Sequence, residues 1–325
     1  MRYALRRLGF YVITVWASLT LNFILPRLAP GDPASRLFAR VADRLRPEQL
    51  EALKKVYGFS DAPLWEQYLT YLSHAMRGDL GVSIIAFPTP VTEMIGTGLF
   101  WSILLGAVAL LISFGLGNFL GIVATWRRGG WMDSVLPPLL IFVGSFPYFW
   151  LAMLALFFLG FELGWFPLRY AFSFDTVPGL NAPFLSSVLS HLVLPAGTIV
   201  LVSIGGWMLG MRNTMISVLG EDYVVMAEAK GLSQRRIMFH YAARNAVLPA
   251  FTSFGIAFGF IISGALLTEI VFTYPGLGYQ LFTAVQSLDY PLIQGLLLTI
   301  TLAVLAANLM VDLLYVRLDP RVRLQ

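Results

Sequence analysis

Residues 211–249 read MRNTMISVLGEDYVVMAEAKGLSQRRIMFHYAARNAVLP, a polar island between two strongly apolar runs. It carries five of the chain's 22 basic residues: Arg212, Lys230, Arg235, Arg236 and Arg244. Glu221 and Asp222 suit a helix start, where negative charge meets the positive end of the helix dipole. YVVMAEAK continues helically to Gly231, a glycine stop. Ser233 is placed to cap a second helix, SQRRIMFHYAARNAV, which is predicted to end before Pro249. A short helix with small side chains, followed by a glycine turn, makes a compact knob. The residues alone leave two readings open. The knob seats in a cleft of a cytoplasmic partner, or the segment is a solvated amphipathic loop.

The surrounding chain is 58% hydrophobic and 12% charged. Soluble domains run at about 45–50% apolar and about 25% charged. A water-soluble fold of 325 residues could not hide that much apolar surface, so lipid is the expected solvent. A spanning helix needs roughly 20 apolar residues. Six runs qualify, at about 9–28, 99–125, 134–160, 191–211, 250–273 and 292–316. The expected fold is therefore an all-α polytopic membrane protein with about six transmembrane helices. The first run follows Arg2, Arg6 and Arg7 like the charged start of a secretory signal, but it is long and no A-x-A pattern follows. It reads as a retained signal anchor.

Six spans put both termini on one side. With the termini in the cytoplasm, 13 of the 22 basic residues are cytoplasmic: Arg2, Arg6, Arg7, Arg127, Arg128, the five of the polar island, Arg317, Arg321 and Arg323. The opposite short loops hold Arg169 and nothing else basic. The other eight lie between Arg27 and Arg77, in a loop long enough to escape the positive-inside rule.

The predicted division is a tail and first span at 1–29, an outer loop at 30–97, and a transmembrane core at 98–325 that holds the polar island at 212–249. In the outer loop, PEQLEALKKVYGF and APLWEQYLTYLSHAM place apolar residues at helical spacing: Leu50, Leu53 and Tyr57, then Leu64, Tyr68, Tyr71, Leu72 and Ala75. They predict two amphipathic helices on the outer surface, which are also a candidate docking face for an external partner. Glycines recur at four-residue spacing (Gly117 and Gly121, Gly206 and Gly210, Gly255 and Gly259), a pattern that lets helices approach closely within one subunit or between two.

Several chemistries are excluded. With no cysteine there is no disulfide or thiolate site. Gly-Lys never occurs, so there is no P-loop for ATP. His74, His191 and His240 are too dispersed for a shared metal site and are expected to be solvated or interfacial. No G-x-S-x-G elbow appears, and no serine is expected to pair with His191 as in a hydrolase. Neither a catalytic site nor a directly bound cofactor or metal is predicted. The small net charge of +4 does not call for nucleic acid. Two carboxylates, Glu269 and Asp312, fall near the ends of the fifth and sixth runs and suit gating or structural roles. A stand-alone carrier or channel is the alternative class, but it would place charges near mid-membrane and would leave the polar island unexplained.

AEAKGLSQRRIMFHYAARNAVLP closely resembles the EAA loop of ABC importer permeases. The family pattern is Glu-Ala-Ala, a Gly after a three-residue gap, and a distal Leu-Pro. Ala227, Gly231, Leu248 and Pro249 match it, while Val225 stands at the Glu and Met226 at the first Ala. The peptide/nickel branch similarly lacks the Glu. RYALRRLGF, RLAPGDPA, RGDLGVS, WRRGGWMD, TEIVFTYPGLG and NLMVDLLYVRLDPRVRL resemble that dipeptide/oligopeptide branch in order and spacing. The resemblance implies a type I importer fold in a bacterial or archaeal inner membrane. It implies a second homologous permease, two ATPase subunits or domains carrying ATP and Mg, and an external solute-binding protein. It assigns ATPase coupling to Val225, Met226, Ala227, Glu228, Ala229, Lys230, Gly231 and Leu232, with Leu248 and Pro249. Peptides are the implied cargo, with oligosaccharides or nickel as alternatives in the same branch. SFPYFWLAMLALFFL and GWFPLRYAFSF are candidate pathway segments, or interfacial anchors.

Overall fold

The computed structural model describes residues 2–28, 63–126, 129–261 and 266–318. Among them the chain is helical, and its one β-bridge joins Val82 to Pro90. The helices are α1 (Arg2–Leu28), α2 (Leu64–Met76), α3 (Val91–Trp126), α4 (Leu136–Gly144, after a single turn at Trp131–Ser134), α5 (Tyr148–Ala155, continued as a π-helix over Leu156–Glu162), α6 (Ala182–Leu219), α7 (Asp222–Ala229), α8 (Arg244–Phe260), α9 (Leu266–Val271), α10 (Leu277–Ser287) and α11 (Tyr290–Leu318). Among the described residues α3 and α6 are long and apolar enough to cross a membrane, and α4 with α5 forms a third such unit when counted as one bent span. Shorter apolar stretches run over Gly9–Ile24 and Tyr290–Ala306.

Where the expected apolar runs are described they fall mainly on helix, and the polytopic all-α class holds. The run at 134–160 is not one straight span, because its two arms meet at 93°. Pro147 sits at the bend, lacks an N–H to continue the ladder, and drives Phe146 away from helical geometry. The Ser145 hydroxyl donates back to the Ile141 carbonyl at 2.8 Å and ends the first arm.

The chain divides into two compact units, residues 1–102 with 275–309 and residues 103–274 with 310–325. In the first, α2 lies against α1: Phe23 meets the rings of Tyr68 and Tyr71 at 5.2 and 5.6 Å, and Thr20 bonds the Tyr68 hydroxyl at 2.7 Å. The second expected outer helix is therefore present, with its Tyr68–Tyr71 face on the first span. The earlier one, at 47–57, lies outside the described residues. The turn before α3 is fixed by Asp289, whose carboxylate accepts from the Ser83 hydroxyl at 2.5 Å and from the Ile84 and Ile85 N–H groups at 2.9 and 3.1 Å. Its other oxygen accepts from Leu292 N–H at 3.2 Å and caps α11.

In the second unit, missing side chains set the helix spacing. A Cβ on Gly117 would fall 2.5 Å from that of Trp207, and one on Gly121 would fall 2.6 Å from the Met208 carbonyl. The first glycine pair therefore packs α3 on α6 within the subunit. Gly206 and Gly210, on another face of α6, have open space at their Cβ positions.

Candidate functional site

The polar island folds as a knob at the end of α6. After Gly220, α7 begins at Asp222, as the acidic start predicts, and runs to Ala229. Gly231 adopts φ +70°. Its N–H donates to the Glu228 carbonyl at 2.8 Å, and Leu232 N–H reaches the Ala227 carbonyl at 3.3 Å. These are the paired bonds of a Schellman stop, which satisfies carbonyls a helix end would otherwise leave open. Leu232 then folds back on the buried cluster of Val224, Ala227 and Ile237, with Trp126, Val218 and Leu219 around it.

One face of α7 is thus anchored to the helix ends, and the other is bare. Val225 and Met226 are 54% and 57% exposed, and Tyr223 is also exposed. Glu228, Ala229, Lys230 and Gly231 lie in the open beside them. A helix of eight residues with only Val224 and Ala227 buried gains little stability alone. Its apolar outer face is the kind of surface that marks an interaction site.

Two details of the second helix differ from expectation. Ser233 occupies the cap position, but its side chain makes no capping bond; its carbonyl accepts from Arg236 and Ile237 instead. Pro249 does not end the helix: a π-helical stretch, Ile237–Ala243, leads into α8, which runs through Pro249 to Phe260. Membrane helices tolerate such prolines when neighbours satisfy the freed groups. Leu248 and Pro249 are exposed on α8.

The knob's base is tied to its surroundings by a charged contact. Arg212 Nε–H donates to Asp133 Oδ1 at 2.7 Å, with both side chains mostly buried. Asp133 Oδ2 accepts from Gly129 N–H at 3.0 Å, and the Arg212 carbonyl accepts from the Thr125 hydroxyl at 3.4 Å. In the same part of α6, Met211 and Met215 join Met238, Ala242, Ala243 and Ala246 in one buried cluster. The sequence marks Arg212 and the WRRGGWMD loop separately, and nothing in their spacing announces the contact.

Further along the same helices, a cavity of about 400 Å³ is lined by Gly106, Leu110 and Ser113 of α3, Tyr148 of α5, Ile199, Val202, Ser203 and Trp207 of α6, and Ala257 and Ile261. No ionisable acid or base other than the Tyr148 phenol faces it. Glu269 is fully buried, not at a solvated edge, and its backbone carbonyl accepts from Tyr274 N–H at 2.8 Å. Asp312 falls on α11, with its side chain outside the described residues. His191 is buried on α6, its ring Nδ1 2.7 Å from the Ser187 carbonyl. The neighbouring Ser190 hydroxyl donates to that same carbonyl and is not set up as a nucleophile. His74 and His240 are exposed.

A family model described as binding-protein-dependent transport system inner membrane component matches residues 117–324, the stretch that holds the knob and the cavity wall from Tyr148 to Ile261. The chain belongs to this family. It is 36% identical to the di/tripeptide transport system permease protein DppB of Pseudomonas aeruginosa (strain UCBPP-PA14), over 98% of both chains. It is 32% identical to the dipeptide transport system permease protein DppB of Lactococcus lactis subsp. cremoris (strain MG1363), over 100% of both. It is also 32% identical to the protein of that name from Escherichia coli (strain K12), over 99% of both. These relatives are transport permeases, not enzymes in themselves. The family's components work within transporter complexes that include ATPase and binding-protein partners. In this binding-protein-dependent transport component, the knob stands at the end of α6 and presents the apolar side chains of Tyr223, Val225 and Met226 to the surface.

Proposed function

We propose that this chain is one permease of a bacterial inner-membrane importer, carrying dipeptides or short oligopeptides handed over by an external solute-binding protein. Of two partner ATPase subunits, which bind the ATP and Mg, one docks on the knob from Val225 to Leu232. A second homologous permease completes the pathway. Both termini and the knob are cytoplasmic in this reading, in line with the distribution of Lys and Arg. The fully enclosed Glu269 has a structural or gating role.

The observation that carries the proposal is the two-faced α7: Val224 and Ala227 locked into the subunit, Val225 and Met226 presented outward. A partner that grips the outer face moves the buried face with it. Peptide as cargo rests on the relatives' names and on a cavity with no carboxylate, imidazole or ammonium group lining it. Such a lining offers a nickel ion no good ligands.

The test is co-purification of the tagged chain with its ATPase subunits, alongside Val225→Glu/Met226→Glu. The exposed sites should leave the permease folded, while ATPase recovery and dipeptide uptake both fall at least about tenfold, as for loss of a central contact. Full ATPase recovery with the double variant would sink the docking assignment. Uptake by the purified chain in liposomes without ATP would sink the importer reading and favour a carrier.

A further inference from the structure

Helix α6 connects directly to α7 and is also zipped to α4. A Cβ on Gly144 would fall 2.9 Å from the Val202 carbonyl, and one on Gly205 would fall 2.9 Å from the Leu140 carbonyl. The numbers descend on one helix as they rise on the other, so the pair is antiparallel with backbones almost touching. The same register leads on to Asp133 and Arg212, and the ion pair lies where the zipper ends beside the knob. At the far end of α4, the 93° bend leads into α5, whose Tyr148 lines the cavity.

The two kinds of fastening differ in what they can transmit. Glycine contacts fix the distance between α4 and α6, but they resist sliding only through van der Waals overlap. A charge-assisted bond is directional and stronger. Asp133 is held by Gly129 N–H on its second oxygen, and the Arg212 backbone lies against α3 at Gly121; the Thr125 hydroxyl, which donates to the Gly121 carbonyl at 2.8 Å, adds only a long 3.4 Å contact to the Arg212 carbonyl. The pair therefore joins three segments: the end of α3, the turn before α4, and the stem of the knob.

We infer that the Asp133–Arg212 ion pair is the joint that makes the bent α4–α5 span follow the coupling helix, so that Asp133 and Arg212 are positioning residues for coupled transport. This rests on the permease reading above. With the pair intact, displacement of α7 carries α6 and α4 as one body and moves the Tyr148 wall of the cavity. With it broken, α6 slips against α4, and ATP turnover proceeds without moving solute.

The experiment uses the assembled transporter, with its ATPase subunits and binding protein, in proteoliposomes supplied with a mixture of labelled dipeptides. ATP hydrolysis and uptake are measured side by side for wild type, Asp133→Asn, Arg212→Gln and the exchange Asp133→Arg/Arg212→Asp. Each single variant is expected to keep hydrolysing ATP while dipeptide moved per ATP falls by about fivefold or more, within the range for directly coupled residues. The exchange is expected to recover at least half of the lost ratio. A wild-type ratio in the single variants overturns the inference alone. So does a parallel fall of hydrolysis, uptake and recovered complex, which would mark the pair as needed only for folding. Absence of ATP-driven dipeptide uptake in the wild-type assembly overturns the permease reading, and the inference with it.

Discussion

Asp289 and Ser83 lie 206 residues apart and share a 2.5 Å hydrogen bond in a site closed to solvent. The carboxylate also takes the backbone N–H groups of Ile84, Ile85 and Leu292, so four donors depend on one side chain. Removing the acceptor strands all of them. Asp289→Ala is expected to destabilise the protein by about 3 kcal/mol or to prevent its accumulation, whereas Ser83→Ala, which removes one donor, should cost about 1 kcal/mol. Thermal unfolding of the two variants in detergent checks the ratio. Equal effects would mean the carboxylate is not the hub.

Neighbouring glycines on α6 should answer in opposite ways. A side chain at Gly205 meets the Leu140 backbone, which cannot rotate away, so Gly205→Leu should cost about 2–3 kcal/mol by overpacking. Gly206 has open space, and Gly206→Ala should be neutral, or stabilising by up to about 1 kcal/mol through helix propensity. Unfolding midpoints decide it, and similar losses at both positions would contradict the packing described. Should Gly206→Leu leave the isolated chain stable yet lower recovery of the second permease, the open face is where that subunit sits.

Among the described residues five helices end on a left-handed residue: Gly78 after α2 and Gly164 after the π-helical end of α5 join Gly231, Thr273 and Leu288, so two of the five are not glycine. Gly231 closes α7, Thr273 (φ 51°) closes α9 and Leu288 (φ 56°) closes α10. A β-branched residue there is strained. Thr273→Gly should therefore stabilise by about 0.5–1 kcal/mol, and Gly231→Ala should destabilise by about 1 kcal/mol. Gly231→Pro goes further, because it removes the N–H given to Glu228 and forbids the positive φ. Membrane insertion at the wild-type level with uptake abolished is the expected result. Unchanged uptake would remove Gly231 from the coupling element.

The range of each signal decides how much of the fold is legible in the sequence. Apolar runs and the Gly231 stop are local, and they fall where expected. Pro147 lies inside an apolar run and could have flagged the 93° bend, whereas Pro249 shows that a proline alone does not end a membrane helix. Asp289 stands immediately before Tyr290–Pro291, a helix-start signal, yet its hold on Ser83 is invisible because the two are distant in sequence. Asp133 and Arg212 are similarly unremarkable until α4 and α6 are set antiparallel. Four-residue glycine spacing could not say which pair faces inward; the neighbours of Gly117 and the emptiness beside Gly206 do.

The loop after α2 carries a pH-dependent contact. The His74 ring, with Nδ1 2.7 Å from Asp79 Oδ2, and then the Gly81 N–H hold the Asp79 carboxyl below its ordinary value of 3.8. A lowered native pKa means the unfolded chain binds the proton more readily. The contact's contribution is therefore complete above the ordinary carboxylate value and disappears as pH falls through the lowered one. Both side chains are more than half exposed, so water and salt screen the pair and the effect is small. Asp79→Asn should lower the unfolding midpoint slightly at pH 6, and the difference should shrink as pH falls below the ordinary carboxylate value and vanish once Asp79 is protonated in the folded chain as well. His74→Gln should remove most of that pH dependence, and added salt should shrink the difference at pH 6. An Asp79→Asn penalty that persists unchanged into acid would show that Asp79 acts through its bond from Gly81 and not through its charge.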